Sequence, residues 1–505
     1  NLALLADTQV AALSTTQVRA FSTTQIAALT ATDVAELSTT QLATMTTTQV
    51  RALTATNLAA LADTQIAALG ATQIAAFSTT NFSSLADTQI AALTTTQIGA
   101  LTSSQLRSLS TANLAILDAT QVAALSATQV AALTTTQIAS LDAANLAEIL
   151  ETQIAALTTT QIVGLTTTNV GNLANTQLAA LTTTQLQAMS TTNLSALADT
   201  QVAALSTTQV RALTTAQITG LSTADIAEFT TDQLAALTTS QIQAFSATDL
   251  QGLADTQIAA LTTTQLRALN VTNIAALSTT QLAALTTTQV AGLTATQLAG
   301  FSSANLSALD AAQIGALNAT QVRALTATQV AALDATDIAE FSETQLTALT
   351  NTQVGALTAT NIAALSDLQV GAFSTTQLTR LTNTTLAALD ATQVSGLNTT
   401  QVRALTATQI GALSDIDVAE FTAGQIGALT ATQIQAWSST VIAGLGSAQI
   451  AALLVTQIPS LTNTQLDHLT TTNITSFDAT QIYALTAGQV ASFDSAQLEA
   501  YLAAV

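Results

Sequence analysis

Residues 93–100 read LTTTQIGA, and close variants of this eight-residue unit, or octad, run through the whole chain. A Gln recurs every eight residues, as at Gln9, Gln17 and Gln25, and the register holds through Gln497 without insertion. The 505 residues therefore contain about 63 octads. Repetition at a short fixed period is typical of a solenoid, in which each unit buries its apolar face against its neighbours.

Each octad carries the signals of a short helix. The residue after each Leu is nearly always Ser, Thr, Asp, Asn or Gly, as at Ser14 and Thr30, and these residue types favour the N-cap. Gln follows three positions later, which completes a capping box. The next two large apolar residues, usually Ile and Leu, are three apart and share one helical face. We therefore expect an all-α solenoid of two-turn helices, one per octad, which are stable only when they stack.

A β-solenoid is the alternative fold. It would place Ile and Leu on opposite faces of a strand, and it would favour β-branched residues over Ala and Gln. A continuous helix or coiled coil would need a seven- or eleven-residue period. Three positions weaken the helical interpretation: Pro459 falls where a helix needs the N–H, and Leu150 and Leu454 occupy cap positions.

A longer period is superimposed on the octads. At every third or fourth octad another residue, usually Asn or Asp, replaces the Gln, and we call these positions marks. Seven marks fall in 192 residues, which predicts about 3.4 octads per superhelical turn, just as apolar spacing reports residues per helical turn. The marks are Asn1, Asp33, Asn57, Asn81, Asn113, Asn145, Asn169, Asn193, Asp225, Asp249, Asn273, Asn305, Asp337, Asn361, Thr385, Asp417, Val441 and Asn473.

The marks predict the organisation of the chain. They define higher-order units 1–192, 193–384 and a partial 385–505, within one continuous solenoid over 1–505. The chain begins and ends at the same phase of the octad. We therefore expect it to be part of a longer protein.

Composition excludes several classes of function. Eight Arg, no Lys and 29 acidic residues give a net charge of −21. A nucleic-acid partner is not expected, because such binding needs clustered cations. Membrane insertion within this segment is not expected either, because no apolar run is long enough to span a bilayer. The absence of Cys excludes disulfides and thiolate metal sites.

The residue types for catalysis are scarce. Nucleophilic catalysis needs a base beside the nucleophile, and the one His of the sequence, His468, lies in a variant octad and is expected at an exposed helix end. The 18 Gly are scattered and form no phosphate-binding loop. We expect no catalytic or cofactor-binding residues and no enzymatic activity.

Acidic pairs spaced D-x-x-E begin at some of the marks. Their carboxylate oxygens could bind Ca²⁺ weakly, although each pair supplies only two carboxylates and lacks the loop of a dedicated calcium site. No other metal site or cofactor is expected. The weak Ca²⁺ candidates are Asp33, Glu36, Asp225, Glu228, Asp337, Glu340, Asp417 and Glu420.

Seven arginines fall within about a quarter of a superhelical turn of one another, roughly half a turn from the marks. This separation of opposite charges predicts lateral association between copies of the chain, to which nearby Phe and Trp would add apolar contact if they are exposed. The other interpretation is a solvated charge stripe with aromatic residues filling the core. The candidate lateral-contact residues are Arg19, Arg51, Arg107, Arg211, Arg267, Arg323 and Arg403.

Octads such as LTTTQIGA at residues 93–100 resemble the long Ala/Thr/Gln-rich repeat tracts of large bacterial secreted and surface proteins, which are often described as adhesin-like. The resemblance covers the whole chain and implies an extracellular or cell-surface rod, stalk or filament. Such a protein would associate with itself, laterally or end to end. Two alternatives remain open: a module that binds polysaccharide, ice or another surface through rows of Ser and Thr, and a cytosolic scaffold.

Overall fold

The structure, a computed structural model, describes residues 5–505. All regular secondary structure in this range is helical, with 61 α-helices, a short 3₁₀ helix and no strand. The all-α solenoid is therefore confirmed, and the β-solenoid alternative is wrong. The chain divides into two compact units, one up to Leu253 and one from Ala254 to Val505, and each is described by itself.

The first unit contains 31 of the α-helices. In chain order they are α1 Asp7–Ala11, α2 Thr15–Ala20, α3 Thr23–Ala27, α4 Ala31–Ala35, α5 Thr39–Thr44, α6 Thr47–Ala52, α7 Ala55–Ala59, α8 Asp63–Ala68, α9 Ala71–Ile74, α10 Thr79–Ser83, α11 Asp87–Ala91, α12 Thr95–Ala100, α13 Ser103–Ser108, α14 Thr111–Ala115, α15 Ala119–Ala123, α16 Ala127–Ala132, α17 Thr135–Ala139, α18 Ala143–Ala147, α19 Glu151–Ile154, α20 Thr159–Val163, α21 Thr167–Gly171, α22 Asn175–Ala180, α23 Thr183–Ala188, α24 Thr191–Leu194, α25 Asp199–Ala203, α26 Thr207–Ala212, α27 Thr215–Gly220, α28 Thr223–Ala227, α29 Thr231–Ala236, α30 Thr239–Gln243 and α31 Ala247–Gly252.

The second unit contains the other 30, together with the 3₁₀ helix Ile458–Ser460. They are α32 Asp255–Ala259, α33 Thr263–Ala268, α34 Val271–Ala275, α35 Thr279–Ala283, α36 Thr287–Gly292, α37 Ala295–Ala299, α38 Ser303–Ser307, α39 Ala311–Gly315, α40 Ala319–Ala324, α41 Ala327–Ala331, α42 Ala335–Ala339, α43 Glu343–Ala348, α44 Asn351–Gly355, α45 Ala359–Ala363, α46 Asp367–Gly371, α47 Thr375–Leu378, α48 Asn383–Leu386, α49 Ala391–Gly396, α50 Thr399–Ala404, α51 Ala407–Gly411, α52 Asp415–Ala419, α53 Ala423–Ala428, α54 Ala431–Gln435, α55 Ser439–Gly444, α56 Ser447–Ala451, α57 Asn463–Leu466, α58 Thr471–Thr475, α59 Ala479–Tyr483, α60 Ala487–Val490 and α61 Ser495–Ala504.

The helices are shorter than predicted. Apart from the ten-residue α61, each has four to six residues, which is little more than one turn, so the expected length of two turns is wrong. The cause lies at the junctions, where the Leu and the cap residue are often both extended, as at Leu101 (φ −60°, ψ 136°) and Thr102 (φ −74°, ψ 153°). Two extended residues leave at most six of the eight for the helix.

The capping boxes form as predicted. The backbone N–H of Gln97 donates to the Thr94 hydroxyl at 3.3 Å, and the Thr94 N–H donates to Gln97 Oε1 at 2.7 Å. Where the cap residue is Ala, as at Ala86, the Gln half of the box persists: the Ala86 N–H donates to Gln89 Oε1 at 2.8 Å. The Gln side chain therefore fixes the start of a helix even without a capping hydroxyl.

The core contains two large apolar side chains from each octad. The residue after Gln, such as Ile98, is fully buried, and the Leu three residues later, such as Leu101, is 4% exposed. Both lie on the inner side of their helix, as the spacing of three predicts. These short helices depend on this burial, because isolated helices of this length are unstable in water.

Helices three octads apart pack against each other, as α9 and α12 do in the first unit and α37 and α40 in the second. Hydrogen bonds from Gln side chains also reach the helix four octads earlier, for example from Gln97 on α12 to the end of α8. A superhelical turn thus takes between three and four octads, in agreement with the value of about 3.4 predicted from the marks.

The three irregular positions have local consequences. Leu150 at a cap position is followed by a helix of four residues, Glu151–Ile154, although its N–H still donates to Gln153 Oε1 at 2.7 Å. In the octad of Leu454 and Pro459 the α-helix is replaced by the 3₁₀ helix Ile458–Ser460. Pro459 therefore disrupts the α-helix of its own octad only.

Candidate functional site

The Gln side chains form the most regular polar feature of the molecule, which we call the glutamine row. In Gln97, Oε1 accepts from the cap N–H of its own octad, while Nε2 donates to Ile66 O at 2.9 Å and Leu69 O at 2.7 Å. These carbonyls lie at the end of the helix four octads earlier. A single carboxamide therefore provides hydrogen-bond partners for the backbone N–H at the start of one helix and for the carbonyls at the end of another.

The marks interrupt this row in a consistent way. An Asn is one methylene shorter than Gln, and it usually reaches only the carbonyl 28 residues earlier, as Asn57 Nδ2 does at Leu29 O (2.9 Å). A carboxylate cannot donate at all. Instead, Asp225 Oδ2 accepts from the Ser195 hydroxyl at 2.8 Å and Asp337 Oδ2 accepts from the Ser307 hydroxyl at 2.6 Å. At these two acidic marks, the side chain therefore accepts the hydrogen bond from the preceding turn, whereas Gln and Asn donate it.

Three acidic marks lie where two helices three octads apart pack loosely. The helix pairs α25 and α28, α39 and α42, and α49 and α52 have few contacts, whereas α28, α42 and α52 each pack well on the helix three octads further along. The second helix of each loose pair carries the D-x-x-E motif. We call the three pairs the Glu228, Glu340 and Glu420 joints.

Small cavities lie beneath two of the joints. One of about 20 Å³ is bordered by Leu197, Val202, Asp225 and Phe229. The other, of about 10 Å³, is bordered by the equivalent residues 192 positions later, together with Glu420. The space is about that of a single water molecule. The same gap thus recurs at the same point of the higher-order repeat.

The Glu side chains of the joints have raised pKa values. Burial raises the pKa of Glu228 to about 7, and the hydrogen bond and negative charge of Asp199, with the charge of Asp225, add to the effect. Burial is also the main cause of the raised pKa values of Glu340 and Glu420, reinforced by neighbouring Asp charges. Each Glu is also the C-cap residue of its helix, where the helix dipole disfavours a negative charge.

The acidic marks do not form an exposed acidic edge. Asp33 and Asp337 are only 5% and 8% exposed, because each carboxylate accepts the cap N–H of its own octad. Asp225, Asp417 and the Glu of each joint are partly buried, and only Glu36 of the eight candidates is exposed.

No group of three or more His, Cys, Asp or Glu side chains in residues 5–505 is arranged to hold a metal ion. The D-x-x-E candidates each supply two carboxylates, so weak Ca²⁺ binding by these pairs stays a prediction.

The seven candidate arginines are exposed, and some of them also make a bond within the solenoid. The Nε atoms of Arg51, Arg107 and Arg323 donate to the carbonyl 25 residues later, at Ala76 O (3.3 Å), Ala132 O (2.7 Å) and Ala348 O (3.3 Å). This carbonyl lies at or just after the end of the helix three octads further along. These arginines thus hold adjacent turns together as well as carrying positive charge at the surface.

The hydroxyl groups of the octad divide into two sets. The cap hydroxyls are used internally, as in Thr94, which accepts from the Gln97 N–H and donates to Gln97 Oε1 at 3.1 Å. The second helical residue of each octad points outward, and Thr160, Thr184 and Thr208 are exposed on the stacked helices α20, α23 and α26. A column of free-standing hydroxyls is therefore present on this part of the surface.

Most aromatic side chains lie in the core. Phe77, Phe245, Phe301 and Trp437 are at most 4% exposed, so the interpretation of these aromatic residues as core-filling is confirmed, and they do not supply the conditional apolar contact at the surface. They replace Leu at the inward position of their octads, which explains their burial. His468 is exposed, with Nδ1 2.9 Å from Thr464 O, as expected of a helix-end residue.

Two features were not predicted from the sequence. The bonds from Gln Nε2 to the preceding turn were missed, although the use of Gln rather than Glu is a signal: a capping box accepts either residue, and only Gln can also donate. The joints were missed because the sequence of one octad does not show how closely its helix packs against the helix three octads earlier.

Comparison with known protein families identifies the type of repeat. The model of the ALTTAQ repeat matches seven segments, at residues 2–39, 66–103, 90–127, 103–135, 202–239, 226–263 and 263–295. The chain is therefore a repeat protein, and these segments are similar to the ALTTAQ repeat. No curated protein matches the chain. Within residues 5–505, no helix combines the length and apolar character needed to cross a membrane.

Proposed function

We propose that the chain is a structural, non-catalytic repeat protein that serves as a spacer or filament outside the cell and associates laterally with copies of itself. The observation that supports this role is the glutamine row. Each Gln links its own helix to one four octads earlier, so the same bonds can be repeated for any number of octads. A solenoid stabilised by neighbour contacts suits a protein whose useful property is length.

The distribution of charge supports lateral association. The seven arginines are exposed, and so are acidic residues in the first turns of helices, such as Asp63, Asp87 and Asp232. One exposed ion pair contributes about 0–1 kcal/mol, but a repeated surface would form several at once. A contact between unlike surfaces does not close on itself and can extend into an open assembly.

The test of association is light scattering at low and high salt. We expect particles larger than one chain at low salt, and smaller particles at high salt because exposed charges are screened. Changing Arg211, Arg267 and Arg323 together to Gln should reduce particle size at low salt, while Arg380→Gln, outside the seven, should not. Single chains of the unchanged protein at low salt would contradict lateral association.

The proposed location has a separate test. An antibody against the chain should label intact producing cells, and external protease should remove the label without permeabilisation. Labelling that requires permeabilisation would instead favour the cytosolic scaffold.

A second candidate function is binding to a polysaccharide or to ice, favoured by the exposed column of Thr160, Thr184 and Thr208. Changing these three residues to Ala leaves the caps and the core intact. If the column binds a surface, the variant should lose retention on insoluble polysaccharide or lose thermal hysteresis. A spacer or filament should show neither property before or after the change.

A further inference from the structure

The three joints share features that do not occur together in a regular octad pair. The two helices pack loosely, and a partly buried Glu ends the second helix. The Glu340 and Glu420 side chains each have a buried Oε2 atom without a hydrogen-bond partner. Small cavities lie beneath the Glu228 and Glu420 joints. Loose packing, acidic groups and empty volume therefore coincide at the Glu228 and Glu420 joints, which occupy equivalent positions 192 residues apart.

We propose that each joint is a pH-sensitive hinge between successive turns of the solenoid, held closed by a neutral Glu and loosened when that Glu ionises. At the Glu228 joint, a protonated Glu228 donates to the Asp199 carboxylate and links α28 to α25. Loss of the proton removes this bond and leaves two facing carboxylates that repel each other. Because α25 and α28 make few contacts and a cavity lies beneath them, little packing opposes the separation of these two helices.

Every titratable side chain on the helices of the Glu228 joint is acidic. Asp199 lies on α25, Asp225 and Glu228 belong to α28, and α31 on the other side carries Asp249. The Asp249 carboxylate accepts from the Thr223 hydroxyl at 2.9 Å, which ties α31 to α28. Opening is therefore expected between α25 and α28, while α28 and α31 stay together.

The other two joints have the same distribution of charge. Glu340 faces Asp310 at the N-cap of α39 and Asp334 and Asp337 in its own octad. Glu420 faces Asp390 at the N-cap of α49 and Asp417 on its own helix.

Asp415 on α52 lies against Gly444 of α55, and neither α45 nor α55 carries a titratable side chain. No cation on these helices compensates an ionised Glu.

The raised pKa values support the direction of the switch. A group that holds its proton more tightly when the joint is closed than when it is open must favour closure at low pH and opening at high pH. With a pKa of about 7 for Glu228, the change should fall between pH 5 and pH 8.

Hydrogen–deuterium exchange of the whole chain tests the hinge. Protection factors, corrected for intrinsic exchange, are compared at pH 5 and pH 8 for peptides covering α25–α28 and α49–α52. We expect protection to be at least about tenfold lower at pH 8, because the pKa of Glu228 is about 7 in the closed joint against an ordinary value of 4.5, and one unit of that difference alone corresponds to a factor of ten. Peptides covering the closely packed pair α9 and α12, which are far from the joints in the chain, serve as the internal control and should change much less.

Variants separate the hinge from a general effect of pH. Glu228→Gln removes the charge while keeping the size and a donor for Asp199, so the loss of protection at pH 8 should disappear at that joint and persist at the Glu420 joint. Glu343→Gln, at an exposed position in α43, should change neither joint. An equal pH response in α9–α12 and α25–α28, or an unchanged response in Glu228→Gln, would overturn the proposal.

Discussion

At the scale of single residues, the Gln carboxamide is the group whose chemistry the fold depends on most. The fold needs an acceptor for the cap N–H and donors for two carbonyls of another turn. Gln is the residue that offers both on a side chain of this length. The side-chain carboxamide of Asn has the same chemistry but a shorter reach, which explains why the Nδ2 of most Asn marks donates to only one carbonyl of the preceding turn.

A change from Gln97 to Glu tests this double role. The acceptor is kept and both donors are lost, so a buried carboxylate would face the carbonyls of Ile66 and Leu69. We expect destabilisation of about 2–5 kcal/mol at pH 8, measured by urea unfolding, and a smaller loss at pH 4, where the carboxyl is protonated. Gln25→Glu, at an exposed position, is the control and should change stability by less than about 0.5 kcal/mol. Equal effects at the two positions would contradict the proposed role.

At the scale of helices, the sequence predicted what is local and missed what depends on other turns. Caps, buried Ile and Leu, and the number of octads per turn follow from spacing within and between octads, as the octad containing Thr94 and Ile98 illustrates. Helix length was overestimated because the extended pair Leu101 and Thr102 cannot be distinguished by composition from helical residues. The joints and the Gln donor bonds involve octads 24 to 32 residues apart and could not be read from one repeat.

Stacking between helices leaves room for a Cβ at some glycines and not at others. A Cβ added at Gly411 would lie 2.7 Å from Ala436 O, on the helix three octads further along, whereas one added at Gly315, at the same octad position, would meet nothing within 4 Å. Gly411→Ala should therefore destabilise the chain by about 1–3 kcal/mol, because a backbone carbonyl must move. Gly315→Ala should stabilise it by about 0.5–1 kcal/mol through higher helix propensity. Thermal and urea unfolding measure both, and a loss of stability in Gly315→Ala would contradict the assigned spacing.

At the scale of the whole molecule, the acidic groups make stability depend on pH in an unusual direction. The folded chain raises the pKa of Glu228 to about 7 and raises those of Glu340 and Glu420 as well. A raised pKa contributes stability that is present below the unfolded value, near 4.5, and is lost as pH rises through the folded value. The net charge of −21 acts in the same direction, because ionising more carboxylates increases self-repulsion.

Stability should therefore be highest at mildly acidic pH. Below this range it should fall, because Asp118 and Asp478 have pKa values lowered by hydrogen bonds from Gln121 and Thr120 and from Thr480 and Gln481, and protonation removes their stabilising effect. We expect the thermal midpoint, followed by circular dichroism at constant ionic strength, to peak at about pH 4–5 and to decrease toward pH 8. Changing the three Glu residues together to Gln should flatten the decrease between pH 5 and pH 8, whereas Glu343→Gln should leave it in place. A midpoint that rises from pH 5 to pH 8 would show that the buried Glu residues do not retain their protons in the folded chain.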